Sequence, residues 1–133
     1  MREIKFRAWD KKAKKMSEPF NLIKEEEILG LDRINLYFYD CELMQYIGLK
    51  DESNREIYEG DVLEFRWFVF REKKRIVGFV EYKEPEFGVR IISPRDIKHK
   101  LRSLVAPVLN QVQFKIIGNI YENSELLKKG GET

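Results

Sequence analysis

Carboxylates are the only abundant groups in this chain that could carry acid–base or metal chemistry. Asp10, Asp51, Glu56, Glu59 and Asp61 stand out, all within or beside turn-like segments. Brought together, such a set could hold Mg²⁺ for phosphodiester hydrolysis. Their setting argues for another role. Glu59-Gly60-Asp61 immediately precedes a strand-like run, where an aspartate ordinarily ties down turn amides. His99 is the only histidine and Cys41 the only cysteine, which rules out an ordinary structural zinc site. His99, in the basic run RDIKHKLR, reads as a solvent-facing helix residue, and Cys41 as a small half-buried filler. Phosphate-binding glycine loops, nucleophile elbows and HExxH patterns do not occur. No catalytic or metal-ligating residue is therefore assigned, no cofactor is expected, and nothing points to a small-molecule substrate. A carboxylate-dependent Mg²⁺ nuclease stands as the competing reading.

The cations give the leading alternative. Lys11, Lys12, Lys14 and Lys15 form one basic patch, Arg71, Lys73, Lys74 and Arg75 a second, and Arg95, Lys98, Lys100 and Arg102 a third. Trp67, Phe68 and Phe70 lie close to the second patch and offer stacking surfaces for single-stranded nucleic acid. The expected nucleic-acid site is Lys73, Lys74, Arg75, Trp67, Lys98 and Arg102. The run Glu64–Phe70 (EFRWFVF) is apolar on both faces, with Phe65, Trp67 and Val69 on one and Phe68 and Phe70 beside Arg66 on the other. One face must be covered by the N-terminal segment, a helix or a second copy, so a homo-oligomer is a further expectation.

These groups sit on a chain of 133 residues, the size of one domain able to bury a core unaided. Apolar residues make up 43% and aromatic residues 13%, which sets it apart from disordered chains despite 36% charged residues. With 25 basic against 23 acidic residues the net charge is +2, so nucleic-acid binding must rest on a local patch. A single cysteine and a start without an apolar segment predict a reducing, cytoplasmic setting and no membrane association.

The elements that must position these residues are mostly strands. Residues 2–9 alternate, with Ile4, Phe6 and Ala8 on one face. Lys11–Lys15 reads as a turn, Lys24–Leu29 as one or two helical turns ending at Gly30, Leu31–Tyr39 as a strand and Leu43–Leu49 as another. Asp51–Asn54 is a polar turn leading into Glu56–Trp67 (EIYEGDVLEFRW), whose glycine-bearing turn introduces a β-rich run. Strands are then predicted at Val62–Phe70, Ile76–Tyr82 and Val89–Ile92, with turns at Arg71–Arg75 and Pro85–Gly88. Ser93-Pro94 with Asp96 reads as a helix start, and Ile97, Leu101 and Leu104 as the apolar face of three turns closed by Pro107. Val112–Ile120 is a last strand, with a bulge or close crossing at Gly118-Asn119. Asn123 is expected to cap a helix over Ser124–Lys129 that Gly130 and Gly131 end. The expected architecture is mainly β: one domain over residues 1–133 built on a small, partly open SH3-like barrel. Residues 51–133 form its core, and residues 1–50 add β-rich cover.

Three blocks together resemble the YopX family of phage and prophage proteins from low-GC Gram-positive bacteria. They are REIKFRAWDKKAKKM, LMQYIGLKDESNREIYEGDVLEF and IIGNIYENSELL, which hold 50 of the 133 residues. Ile47 stands where the family usually has threonine, Ser53-Asn54 where it has Asn-Gly, and Ser124 where it has proline. Asparagine tolerates a left-handed conformation, and serine suits an early helical position, so the fold is unaffected. The resemblance implies a β-rich, barrel-like protein of mobile-element origin without an established activity. On this reading the chain is a non-enzymatic binding module, with nucleic acid, a phage or host protein, or a second copy of itself as partner.

Overall fold

A computed structural model describes residues 3–21, 41–69, 71–95 and 101–132. The expected helical turns at Lys24–Leu29 and strand at Leu31–Tyr39 lie outside these residues, as do Phe70, Asp96, Ile97, Lys98, His99 and Lys100. Two antiparallel sheets make up the fold. The first runs in the order β2-β1-β3-β4, from β1 (Phe6–Asp10), β2 (Lys15–Met16), β3 (Cys41–Lys50) and β4 (Glu56–Tyr58). The second runs β8-β7-β6-β5-β9, from β5 (Asp61–Val69), β6 (Glu72–Lys83), β7 (Glu86–Ser93), β8 (Leu101–Ser103) and β9 (Lys115–Asn119). Four strands meander, a short helix α1 (Val105–Leu109) follows, and β9 returns to lie beside β5. A second helix, α2 (Glu125–Glu132), closes the described chain.

Alternation decides which side chains form the core. Leu63 and Phe65 on β5, Ile76 and Val80 on β6, and Val89 and Ile91 on β7 share the inner face of the second sheet. Ile57, Leu104 and Phe114 join them, while Ile47 and Leu49 of β3 pack on from the first sheet. Full burial of a side chain such as Leu63 is worth about 1.5–3 kcal/mol, so the two sheets are held face against face by this cluster. Met44, Tyr46 and Tyr58 form a smaller cluster with Trp9, Met16 and Tyr121. Ile47 and Leu49 of β3 thus pack on the inner face of β5, while Phe68 on its outer face stays exposed.

Several local expectations are corrected. Arg71–Arg75 is not a charged turn: β6 already begins at Glu72, and Val69 pairs with Glu72 across a tight hairpin in which Arg71 takes a positive φ of 70°. Leu101–Ser103 is strand β8, not a helical face, because its backbone pairs with Gly88–Arg90 of β7. Leu104 is buried just before α1, and Pro107 lies inside that helix rather than closing one. The Pro85–Gly88 turn is likewise shorter, with β7 starting at Glu86. At the C-terminal end α2 passes through Gly130 and Gly131, and the Asn123 side chain turns back to accept the Asn119 N–H at 3.1 Å. The bulge expected at Gly118-Asn119 lies one residue earlier: Val62 pairs with Gly118 and Leu63 with Ile116, which leaves Ile117 as the extra residue.

Candidate functional site

The five carboxylates do not converge on one point, and only Glu56 and Asp61 among them line a common cleft. Asp10 accepts the N–H groups of Lys12 and Ala13 and closes the β1–β2 hairpin. Asp51, with its side chain fully buried, accepts N–H groups from Ser53, Arg55 and Ile116 and pairs with the Arg55 guanidinium at 3.0 Å. Burial pushes its pKa up, but those donors outweigh it and hold the carboxyl below its ordinary range. Glu59 accepts the Gln45 N–H at 2.9 Å. Among the described residues, no three His, Cys, Asp or Glu side chains group as a metal site would need.

The Glu59-Gly60-Asp61 turn is a hub. The Glu59 N–H also donates to Gln45 of β3. Gly60, at φ +84°, donates its N–H to the Val80 carbonyl and accepts from Ile120. Asp61, only 2% exposed, accepts the Tyr58 N–H at 2.8 Å and pairs with Arg7 of β1 at 2.5 Å. Burial raises the Asp61 pKa against the pull of Arg7. The Arg7 guanidinium lies over the Tyr58 ring at 4.7 Å, while its buried Nε has no hydrogen-bond partner among the described residues. Beside it Lys5 pairs with Glu56 at 2.7 Å, and Tyr58 donates its hydroxyl to the same carboxylate. Burial, then Glu56, pushes the Tyr58 phenol up to about 12. Arg7, Glu56 and Asp61 line an open cleft of about 340 Å³ with Arg55 and Ile116–Asn119. Arg7, Arg55–Asp61 and Ile116–Asn119 come from the three sequence blocks that carry the family resemblance. Those blocks are far apart along the chain, and the fold brings them to one place.

The other candidate is the outer face of the second sheet. Residues directly opposite one another share a face, so Phe68 stands with Lys73, and Arg66 with Arg75, while Trp67 and Lys74 stand together on the inner side. On the next rung Glu64 faces Lys115 of β9. Arg75 grips Glu64 with two nitrogens, at 3.1 and 3.2 Å. That hydrogen bond, with the charges of Lys115 and Arg66, holds the Glu64 carboxyl below its ordinary range. Three cations, Arg75, Lys115 and Arg66, therefore act on one acid, and Lys73 stands farther along the same face. Phe68 is 58% exposed among them. The far end of this face is closed by the C-terminal segment: Val62 is fully buried, and a Cβ on Gly118 opposite it would lie 2.6 Å from Asn123 Oδ1 and 2.8 Å from Leu126.

Among the residues expected to bind nucleic acid, Lys73 and Arg75 thus share the outer face. Trp67 packs against the core, Lys74 is half-buried on the inner side, and Arg102 stands on edge strand β8, separated from β6 by β7. Lys98 lies outside the described residues. Arg66, Phe68 and Lys115 were missed as a set. Period-two alternation marks Arg66 and Phe68, but only the pairing of β9 with β5 places Lys115 beside them. A third feature, an apolar groove of about 570 Å³, runs between β3, the β6–β7 hairpin and α1.

A family model described as "YopX protein" matches residues 5–128, nearly the whole described chain. The chain belongs to the YopX family. It is also similar to the crystal structure of protein EF1440 from Enterococcus faecalis, with a TM-score of 0.57 and 22% identity over 96% of this chain and 99% of that one. That likeness extends to the fold alone. No curated protein matches the chain. In this YopX-family chain no helix among the described residues is long and apolar enough to cross a membrane.

Proposed function

We propose that this YopX-family protein is a phage- or prophage-derived, non-enzymatic accessory module that binds nucleic acid in the host cytoplasm. The meander, short helix and returning strand follow the order of SH3-like barrels, a scaffold suited to presenting one sheet face to a partner. One observation carries the reading: Arg66, Lys73, Arg75 and Lys115 share the outer face, with Glu64 the one acid between them among the described residues. A near-neutral protein that gathers a local excess of about three positive charges on a sheet presents phosphates with a distinct landing site. The carboxylates favour this over hydrolysis, because Asp10, Asp51, Glu59 and Asp61 are each occupied by turn or strand amides.

Fluorescence anisotropy with labelled oligonucleotides across a salt series tests the proposal. Binding should weaken linearly in log salt, with a slope of roughly −0.7 to −0.9 per phosphate contact. Arg66→Gln and Lys115→Gln should each make the slope shallower by about one such contact. Absence of salt-sensitive binding at low ionic strength would remove the nucleic-acid reading. Magnesium-dependent cleavage that Asp61→Asn abolishes in a folded protein would restore the nuclease.

A further inference from the structure

We infer that the ligand of this outer face is unpaired nucleic acid, with one base stacked on Phe68 and the flanking phosphates held by Arg66, Lys73 and Lys115; the inference rests on the nucleic-acid reading above. The rungs of the sheet order these groups. Phe68 and Lys73 form the outermost pair, Arg66 and Arg75 the next, and Glu64 and Lys115 the third. Successive rungs on one face are about 7 Å apart, two residues along a strand. The aromatic ring therefore lies at one end of a short cationic track.

The three assigned cations have freedom that Arg75 lacks. Arg75 is engaged by Glu64 through two nitrogens, whereas Arg66, Lys73 and Lys115 are exposed and make no ion pair among the described residues. The Phe68 ring decides between strand types. Duplex DNA shows such a surface its phosphates and sugars, and its bases stay stacked on one another. An exposed phenyl pressed against that anionic backbone would bury apolar surface against charge. A single strand offers the π-face of a base, which stacks on an aromatic ring with little regard for sequence. The flat, solvent-facing side of an antiparallel sheet is also where such stacking is accessible. At its other end the track meets the C-terminal turn and α2, which cover Val62, so the open length accommodates only a few nucleotides.

The test compares a labelled oligothymidylate of about twelve nucleotides with a duplex of the same length, using the full chain. The single strand is expected to bind more tightly at each salt concentration. Phe68→Ala should weaken single-strand binding by roughly 5- to 150-fold, the worth of one stacked base, with the salt slope unchanged. Phe68→Trp should restore it, while Arg66→Gln and Lys73→Gln should each flatten the slope by about 0.7. Phe68 is largely exposed, so an unchanged thermal transition and circular dichroism spectrum will establish that Phe68→Ala is folded. Equal binding of both strand types, indifferent to Phe68→Ala, overturns the single-strand assignment while leaving phosphate binding intact. No salt-dependent binding of either overturns both readings. Light scattering that shows Phe68→Ala converting an oligomer to a monomer, with no change in oligonucleotide affinity, also overturns it and assigns the ring to self-association.

Discussion

The cleft beneath the Glu59-Gly60-Asp61 turn and the outer face of β5–β6 are both rich in charge, yet their charges are held differently. In the cleft Arg7 is matched to Asp61, Arg55 to Asp51 and Lys5 to Glu56, and backbone amides take up much of the remaining carboxylate capacity. On the outer face Arg66, Lys73 and Lys115 stand in solvent with one shared acid nearby. Charges already paired within the fold have little to offer a ligand, whereas solvated cations can meet phosphates and release their counterions. The segments that carry the family pattern therefore build the hub joining the two sheets, and the proposed binding face lies on the less constrained strand that follows.

Breaking the hub should have the largest effect. Asp61→Ala leaves Arg7 buried without its partner and should cost about 3–5 kcal/mol, measured by urea denaturation. The pair Arg7→Met with Asp61→Leu should recover much of that loss; failure to do so would mean that the charges stabilise beyond their mutual compensation. Gly118→Ala should come next, at about 1–3 kcal/mol, because its Cβ would overlap Asn123 and Leu126. Smaller, and of opposite sign at the two sites, is the effect of pH. Asp51 is held below its ordinary value, so its stabilisation is complete above about pH 4 and is lost as pH falls through the folded value. Asp61 is raised, so its folded form holds a proton longer, and its contribution falls as pH rises from about 4 through the raised value. Thermal melts of Asp51→Asn and Asp61→Asn from pH 3 to 7 should show the gap to wild type widening with pH for the first and narrowing for the second. Arg66→Gln and Lys73→Gln should change stability least, within about 0.5 kcal/mol, while altering the salt dependence of oligonucleotide binding. A large stability loss at either would erase the contrast between the two regions.

Local pattern reaches part of this picture. Alternation placed Phe65, Trp67 and Val69 opposite Arg66 and Phe68, and the glycine-bearing acidic turn was legible as a turn. The β-rich class followed from the same signals. What failed was local pattern without a pairing partner. Ile97, Leu101 and Leu104 have helical spacing, yet Leu101–Ser103 pairs with β7, and that partner is invisible to any short window. Lys73–Arg75 reads as a turn because charges dominate it. In the strand, two of these residues simply face solvent and Lys74 lies near the hairpin tip. The Arg7–Asp61 strut joins residues 54 positions apart, and the cleft exists only once the fold joins three separated segments.

The edge of β9 has a consequence for the order in which the chain is made. Asp51 accepts the Ile116 N–H and Arg55 donates to the Ile116 carbonyl, so two side chains stand where a neighbouring strand would. β5 on one side and this clamp on the other leave the ribosome well before β9 does. Between them they form a slot that waits for the last strand. A nascent chain stalled before residue 115 would carry that slot empty, and the β9 of another copy would fit it as well as its own.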